Sequence, residues 1–343
     1  MHAAIVGLAG PTLTRDEAAL LRARPPAGVI LFARNIQDPP QLASLIAALR
    51  AALPQDAQLM LDQEGGRVAR LRPPHWRAHP AAGVIGARYA AAPEAATRAA
   101  WLHGALIGAE AAAAGFDIVT APVLDRAVPG ASAVIGDRAF GADPDAVATL
   151  GRAMAEGLLA AGVIPVMKHI PGHGRAEVDS HLALPVVTAP DPAPDLRPFA
   201  LNADLPWAMT AHILFPAWDP ARPATLSPAV IGGVIRGRLG FEGVLVTDDL
   251  AMRALSGAPE TLAEQALAAG CDLALYCGGE PAANAALLAA CPDITPDAAA
   301  RLARARALAA ARRRALDPDS LAAERDRLLA PSLAPWPTPW PTA

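Results

Sequence analysis

Eight short runs of β-branched and other apolar residues recur along the 343-residue chain, and they constrain its fold more than any other feature. They are AAIVGL (3–8), GVILFA (28–33), LMLD (59–62), DIVTAPV (117–123), VIPVMKH (163–169), WAMTAH (207–212), GVLVTDD (243–249) and LALYC (273–277). Their interiors are apolar throughout rather than alternating, which predicts strands buried on both faces, as in a parallel sheet. Alanine-rich segments with helical character separate them, among them DPPQLASLIAALRAAL (38–53), EAATRAAWLHGALIGAEAAAAG (94–115), DPDAVATLGRAMAEGLLAAG (143–162), SPAVIGGVIRGRLG (227–240) and APETLAEQALAAG (258–270). Several of these open on Asp, Ser or Pro and close at Gly, the signals of helix start and stop. Eight strands with intervening helices predict an α/β chain folded as a (β/α)8 TIM-type barrel, a single domain with a C-terminal helical extension. The expected division is a barrel over residues 1–315, then a helix end and a Pro-rich tail over 316–343. In the basic helix DAAARLARARALAAARRRAL (297–316) the arginines are expected to form a solvated face. The tail APSLAPWPTPWPTA (330–343) is expected to be extended and outside the core.

Polar residues cluster where these runs end. Asp62 and Glu64, Asp125, Lys168 and His169, His212, and Asp248 and Asp249 all stand at or just past a predicted strand terminus. One such aspartate is most often a cap for the next helix. Five strands ending this way point instead to one shared site, because in a barrel those ends converge on the face that carries the chemistry. The remaining bounds are negative. A formal net charge of −4 leaves no basic footprint for nucleic acid. No apolar run reaches the ~18 residues of a membrane span. The N-terminus lacks the charged start and apolar core of a signal peptide. Cys271, Cys277 and Cys291 lack zinc-site spacing and read as reduced thiols, so a cytoplasmic protein is expected.

Three constellations carry chemistry. In VTDDLAM (246–252), Asp249 reads as a cap for the next helix, leaving Asp248 free to bind a metal, act as a base or attack carbon. In LDQEGGRVARL (61–71), Asp62, Glu64, Arg67 and Arg70 surround a Gly-Gly turn that lets backbone approach a ligand, and a strand-ending Asp with a nearby Arg suits the accepting and donating needs of sugar hydroxyls. An internal ion pair at that turn is the competing explanation. In VMKHIPGHGRAEVDSHLALP (166–185), Asp179 and His181 flank one residue, a spacing that can seat a carboxylate on an imidazole and equip it to shuttle protons near neutral pH. The serious rival is a metal cage of His169, His173, His181 and His212, although no ligand set of known spacing appears. Loss of activity on dialysis against a chelator would favour that cage.

GVILFARNIQD (28–38), LDQEGGRVARL, VIGDRAF (134–140), KHIPGHG (168–174) with EVDSHLALP (177–185), and VTDDLAM succeed one another in that order. The chain thereby resembles the family 3 glycoside hydrolases, and is similar, over residues 3–280, to the short β-N-acetylhexosaminidases of bacterial cell-wall recycling. The resemblance implies a retaining exo-glycosidase that removes terminal non-reducing β-linked N-acetylglucosamine from peptidoglycan-derived fragments. It implies Asp248 as nucleophile, His181 as general acid/base with Asp179 as its partner, and Asp62, Arg70, Arg138, Lys168 and His169 as contacts to the sugar. No cofactor and no metal is implied, and the expected partner is a small carbohydrate (a muropeptide fragment), with neither nucleic acid nor membrane. Two positions depart from the family pattern, Ile170 where an aromatic residue is common and Arg175 where an acid is common.

Overall fold

The computed structural model of the chain describes residues 1–188 and 192–330; the Pro- and Trp-rich stretch 331–343 lies outside the described residues. The strands are β1 (His2–Gly7), β2 (Pro26–Leu31), β3 (Gln58–Leu61), β4 (Ile118–Val119), β5 (Ile164–Ile170), β6 (Trp207–Thr210), β7 (Val244–Val246) and β8 (Ala274–Tyr276). The helices are α1 (Arg15–Ala23), α2 (Pro39–Ala52), α3 (Ala82–Gly86), α4 (Pro93–Ala114), α5 (Pro144–Ala160), α6 (Ala193–Ala200), α7 (Pro259–Ala269), α8 (Pro281–Ala290), α9 (Pro296–Arg312) and α10 (Pro318–Leu329). Each of the eight apolar runs contributes one strand. Neighbouring strands pair in parallel from β1 through β7, and β8 pairs with β1. A parallel bridge between Val246 and Leu273 brings the two ends together, so the sheet closes as the (β/α)8 barrel expected.

Alternation within these strands divides their side chains between two cores. Ile5, Ile30, Met60, Ile118, Val166, Trp207, Met209, Val246 and Leu275 belong to the cluster that fills the barrel. Their neighbours Val6, Val29, Leu31, Leu61, Val119, Met167, Ala208 and Leu245 pack outward with the helices. Both faces are therefore dry, at about 1.5–3 kcal/mol for each large side chain removed from water. Helix starts reflect the chemistry of their caps: Thr14 and Glu17 form a capping box, and Asp38 and Asp143 accept the Gln41 and Ala146 N–H groups in the first turns of α2 and α5.

Three segments differ in detail from the sequence reading. DIVTAPV yields only the two residues of β4, because Pro122 has no N–H and the Ala121 N–H turns back to the Val119 carbonyl; β5 still donates to the carbonyls of Ala121 and Pro122. SPAVIGGVIRGRLG forms a wide π-type helix over Ala229–Arg238 rather than an α-helix. In α9, Leu302, Ala305 and Ala309 are buried in the barrel cluster beside Ala3, Ile5 and Ile164, so that helix seals the N-terminal end of the barrel; Arg304 and Arg312 are exposed, and Arg301 reaches Asp272 at 2.8 Å. Helix α10 lies along α4, where Glu324 receives both arms of Arg98 at 2.8 Å. Among the described residues no helix is long and apolar enough to cross a membrane.

Candidate active site

The C-terminal ends of the strands surround a cavity of about 300 Å³. The eight residues that the family resemblance singles out line it, Asp62, Arg70, Arg138, Lys168, His169, Asp179, His181 and Asp248; the strand-end residues Asp125 and His212 lie behind its surface. A larger cavity of about 790 Å³ lies between α4 and α5 on the outside of the barrel, beside Trp101 and Leu201; two of the charged residues at its rim, Arg98 and Arg152, are paired with Glu324 and Asp204.

One wall is an ionic lattice. Asp62, just past β3, accepts from Arg70 at 2.9 Å on one oxygen and from Lys168 at 3.2 Å on the other, which also receives the Thr120 hydroxyl. Glu64 is held by both arms of Arg138 at 2.8 Å and lies 2.6 Å from the Lys168 ammonium. Burial raises the Glu64 carboxyl, but Arg138 and then Lys168 more than reverse this and bring its pKa to about 2. Asp62 is likewise kept far below the ordinary carboxylate range by Lys168 and Arg70, against the effect of burial. Both carboxylates are thus charged at neutral pH. The chain can make this wall because Gly65 and Gly66 adopt positive φ, 99° and 57°. A Cβ on Gly65 would sit 2.3 Å from the Pro80 carbonyl oxygen.

A second wall rises from β5. His169 donates from Nδ1 to Asp125 at 2.6 Å, and the other Asp125 oxygen accepts the His173 N–H at 2.6 Å. The His173 Nε2 meets the Ser180 hydroxyl at 3.0 Å. The loop after β5 then brings Asp179 and His181 to the cavity. One oxygen of Asp179 accepts both the backbone N–H and the Nδ1–H of His181, each at 2.8 Å. That tautomer leaves Nε2 as the reactive nitrogen, on a side chain 62% exposed. Some burial raises the Asp179 carboxyl, but the hydrogen bonds from His181 carry its pKa below the ordinary value. Val178 and Leu182, beside this pair, are also exposed.

Asp248 stands two residues past the end of β7. One oxygen accepts the Asp249 N–H at 2.8 Å; the other has no hydrogen bond among the described residues. Burial raises its carboxyl, but His169, His212, the Asp249 N–H and Lys168 together leave its pKa lowered. It is therefore an anion with one oxygen uncommitted. Asp249 serves structure, accepting the N–H groups of Ala251 and Cys277 at 2.9 Å. The loops carrying Asp248 and His181 are joined where the Ala254 N–H donates to the Ser180 carbonyl at 3.1 Å.

Of the four histidines of the metal alternative, His212 commits both ring nitrogens, to Thr225 and the Asp249 carbonyl, while His169, His173 and His181 each commit one, to Asp125, Ser180 and Asp179. Among the described residues no three His, Cys, Asp or Glu side chains form a group able to hold an ion. Glu64, Asp125 and Thr120 have larger parts in the site than sequence alone gives them. The first two are visible as strand-end acids; Thr120, inside DIVTAPV, carries no signal beyond a hydroxyl in an apolar run.

Comparison with known proteins gives a consistent result. The sequence model for the Glycosyl hydrolase family 3 N terminal domain matches residues 5–296. The chain is 43% identical over 308 residues to a beta-hexosaminidase of Alkalilimnicola ehrlichii, covering 88% of this chain and 87% of that one. It is 42% identical over 284 residues to a beta-hexosaminidase of Bordetella parapertussis, covering 80% and 79%. In structure it is similar to NagZ from Neisseria gonorrhoeae in complex with N-trifluoroacetyl-D-glucosamine, with a TM-score of 0.84 and 31% identity over 96% of this chain and 98% of that one. Beta-N-acetylhexosaminidase from Beutenbergia cavernae aligns with a TM-score of 0.73 at 30% identity, over 97% and 95%.

Proposed function

From the premise that this chain belongs to glycosyl hydrolase family 3 and is a glycoside hydrolase of the β-hexosaminidase kind, we propose how its residues cleave terminal β-linked N-acetylglucosamine. Asp248 is the nucleophile, His181 the general acid/base, and Asp179 its orienting partner. Asp62, Arg70, Arg138, Lys168 and His169 hold the sugar. The observation that carries this reading is the state of Asp248, a carboxylate kept ionised with one free oxygen in the same cavity as an oriented imidazole.

In the first step the free Asp248 oxygen bonds to the anomeric carbon as the glycosidic C–O bond breaks. The departing oxygen takes the proton from His181 Nε2. In the second step His181, now neutral, removes a proton from water as the water oxygen bonds to the same carbon and Asp248 leaves. Two displacements retain the configuration. Asp179 holds Nδ1–H and so orients the ring with Nε2 outward, which suits a group that must both give and take a proton. The loop holding the pair is seated through Ser180, which meets His173 and accepts the Ala254 N–H, and it presents the exposed imidazole at the cavity.

The natural substrate in this reading is a peptidoglycan-derived fragment, N-acetylglucosamine linked to 1,6-anhydro-N-acetylmuramic acid with or without peptide, and the compartment is the cytoplasm. The motif resemblance supports the substrate, and the three free cysteines support the compartment beside it. The test is trapping with a 5-fluoro N-acetylglucosaminyl reagent and then peptide mass mapping. A label on the peptide containing Asp248 is expected; a label elsewhere, or turnover with no label at all, overturns the assignment.

A further inference from the structure

The wall formed by Asp62 and Glu64 is braced from behind by a chain of buried polar groups that ends in α10. His103, on α4, donates from Nε2 to the Glu64 carbonyl at 3.0 Å, since a carbonyl can only accept. The Gly66 N–H donates to the His79 carbonyl at 2.8 Å, so the backbone at His79 underlies the glycine turn. The His79 and His103 rings meet edge to face, 5.7 Å between centroids. Beyond them, Arg325 of α10 reaches inward and lies 3.0 Å from His79 Nδ1. A guanidinium only donates, so Nδ1 carries no proton and the neutral ring must bear its hydrogen on Nε2. That N–H meets Glu110 of α4 at 3.1 Å, and Glu110 also accepts from Arg77 at 3.2 Å.

Arg325 is 3% exposed, and its salt-bridge partner among the described residues is Asp326, whose own side chain is 62% exposed. A buried cation on so short a terminal helix is a poor stabiliser, because desolvation offsets most of its attraction and an apolar residue of similar size would pack as well. Its geometry serves direction instead. It fixes one tautomer of one imidazole, and that imidazole ties the backbone under Gly66 to α4. We infer that Arg325 is a positioning residue for sugar binding, acting through His79 on the turn that sets Asp62, Glu64 and Arg70. The inference rests on the reading that this wall contacts the sugar.

The relay touches neither Asp248 nor the Asp179–His181 pair, so it affects binding and leaves the chemical steps alone. In Arg325→Met the Nδ1 loses its donor, and KM for an aryl β-N-acetylglucosaminide rises about tenfold, a fraction of the ~10²-fold that a 1 Å misplacement produces. The value of kcat stays within about twofold, and the inhibition constant of free N-acetylglucosamine rises in step with KM. Arg325→Lys keeps a charged donor and gives a smaller rise, about threefold; it decides the matter if the Met variant does not fold. A merely structural arginine would lower the melting temperature or the active fraction, reducing apparent kcat at unchanged KM. That outcome in the soluble variants overturns the inference. Asp62→Asn separates the two levels of argument. If it leaves KM unchanged, the sugar-binding reading fails; if it raises KM while neither Arg325 variant does, only the relay fails.

Discussion

Replacing Glu64 by Gln removes one negative charge from the ionic wall and retains its volume. Two cations face that carboxylate, Arg138 through two bonds of 2.8 Å and Lys168 at 2.6 Å, and the Glu64 side chain is 6% exposed. Its pKa falls from an ordinary 4.5 to about 2. At 1.36 kcal/mol for each tenfold, that difference represents roughly 3 kcal/mol of folding stability at neutral pH. The direction is that of a depressed acid: the contribution is complete above about pH 4.5 and is lost as pH falls toward 2. At pH 3 somewhat under half of it, about 1.4 kcal/mol, remains. Lys168 keeps Asp62, but Arg138 would be left with the Val134 carbonyl as its partner, so the loss should reach the scale of a broken buried pair, about 3–5 kcal/mol. The assay is urea unfolding of Glu64→Gln and the native chain, monitored by tryptophan fluorescence at pH 7 and at pH 3. The native chain should lose its advantage as its own Glu64 protonates. A difference below about 1 kcal/mol at pH 7, or one equally large at pH 3, would refute the reasoning, because it would mean the carboxylate gains nothing from its cations.

Other substitutions probe the remaining assignments. Asp248→Ala should abolish hydrolysis of an aryl β-N-acetylglucosaminide, and activity within about tenfold of the native rate would reject it as nucleophile. Asp179→Ala should slow turnover by ~10²-fold or more and displace the pH–rate profile, since the imidazole loses its orienting anion; an unmoved profile counts against the pair. Asp125→Asn can no longer take both the His169 ring N–H and the His173 N–H as an anion, and should reduce kcat/KM by about 10-fold or more while N-acetylglucosamine binding weakens. A kcat/KM within twofold of native would remove Asp125 from the working site.

Much of this molecule can be read from residue order, and the limits are physical. Strands buried on both faces must be apolar along their length, which is why eight of them stand out and why a closed parallel barrel is the natural expectation. Their terminal acids, lysine and histidines converge because the topology aims all strand ends one way. Spacing in sequence cannot supply pairings across it: Glu64 meets Arg138 from a distant turn and Lys168 from β5. Nor can it separate Asp125, which holds two histidines, from an ordinary helix cap. Thr120 is hidden because a hydroxyl beside apolar neighbours is unremarkable in a strand. His79 and Arg325 lie 246 positions apart, and nothing local in either segment announces the other.

The bond pattern of Asp179 and His181 has a consequence for how the two reacting groups depend on their surroundings. Both hydrogen bonds run within three consecutive residues and end on a single oxygen, so the unit is complete in itself. Asp248, by contrast, owes its ionisation to histidines and a lysine fixed in the barrel. The orientation of the proton carrier is thus set inside its own three residues, with Ser180 docking them to His173 and Ala254, while the attacking anion is a fixture of the barrel: altering the segment around 179–181 changes where the proton is delivered and leaves the charge on Asp248 in place.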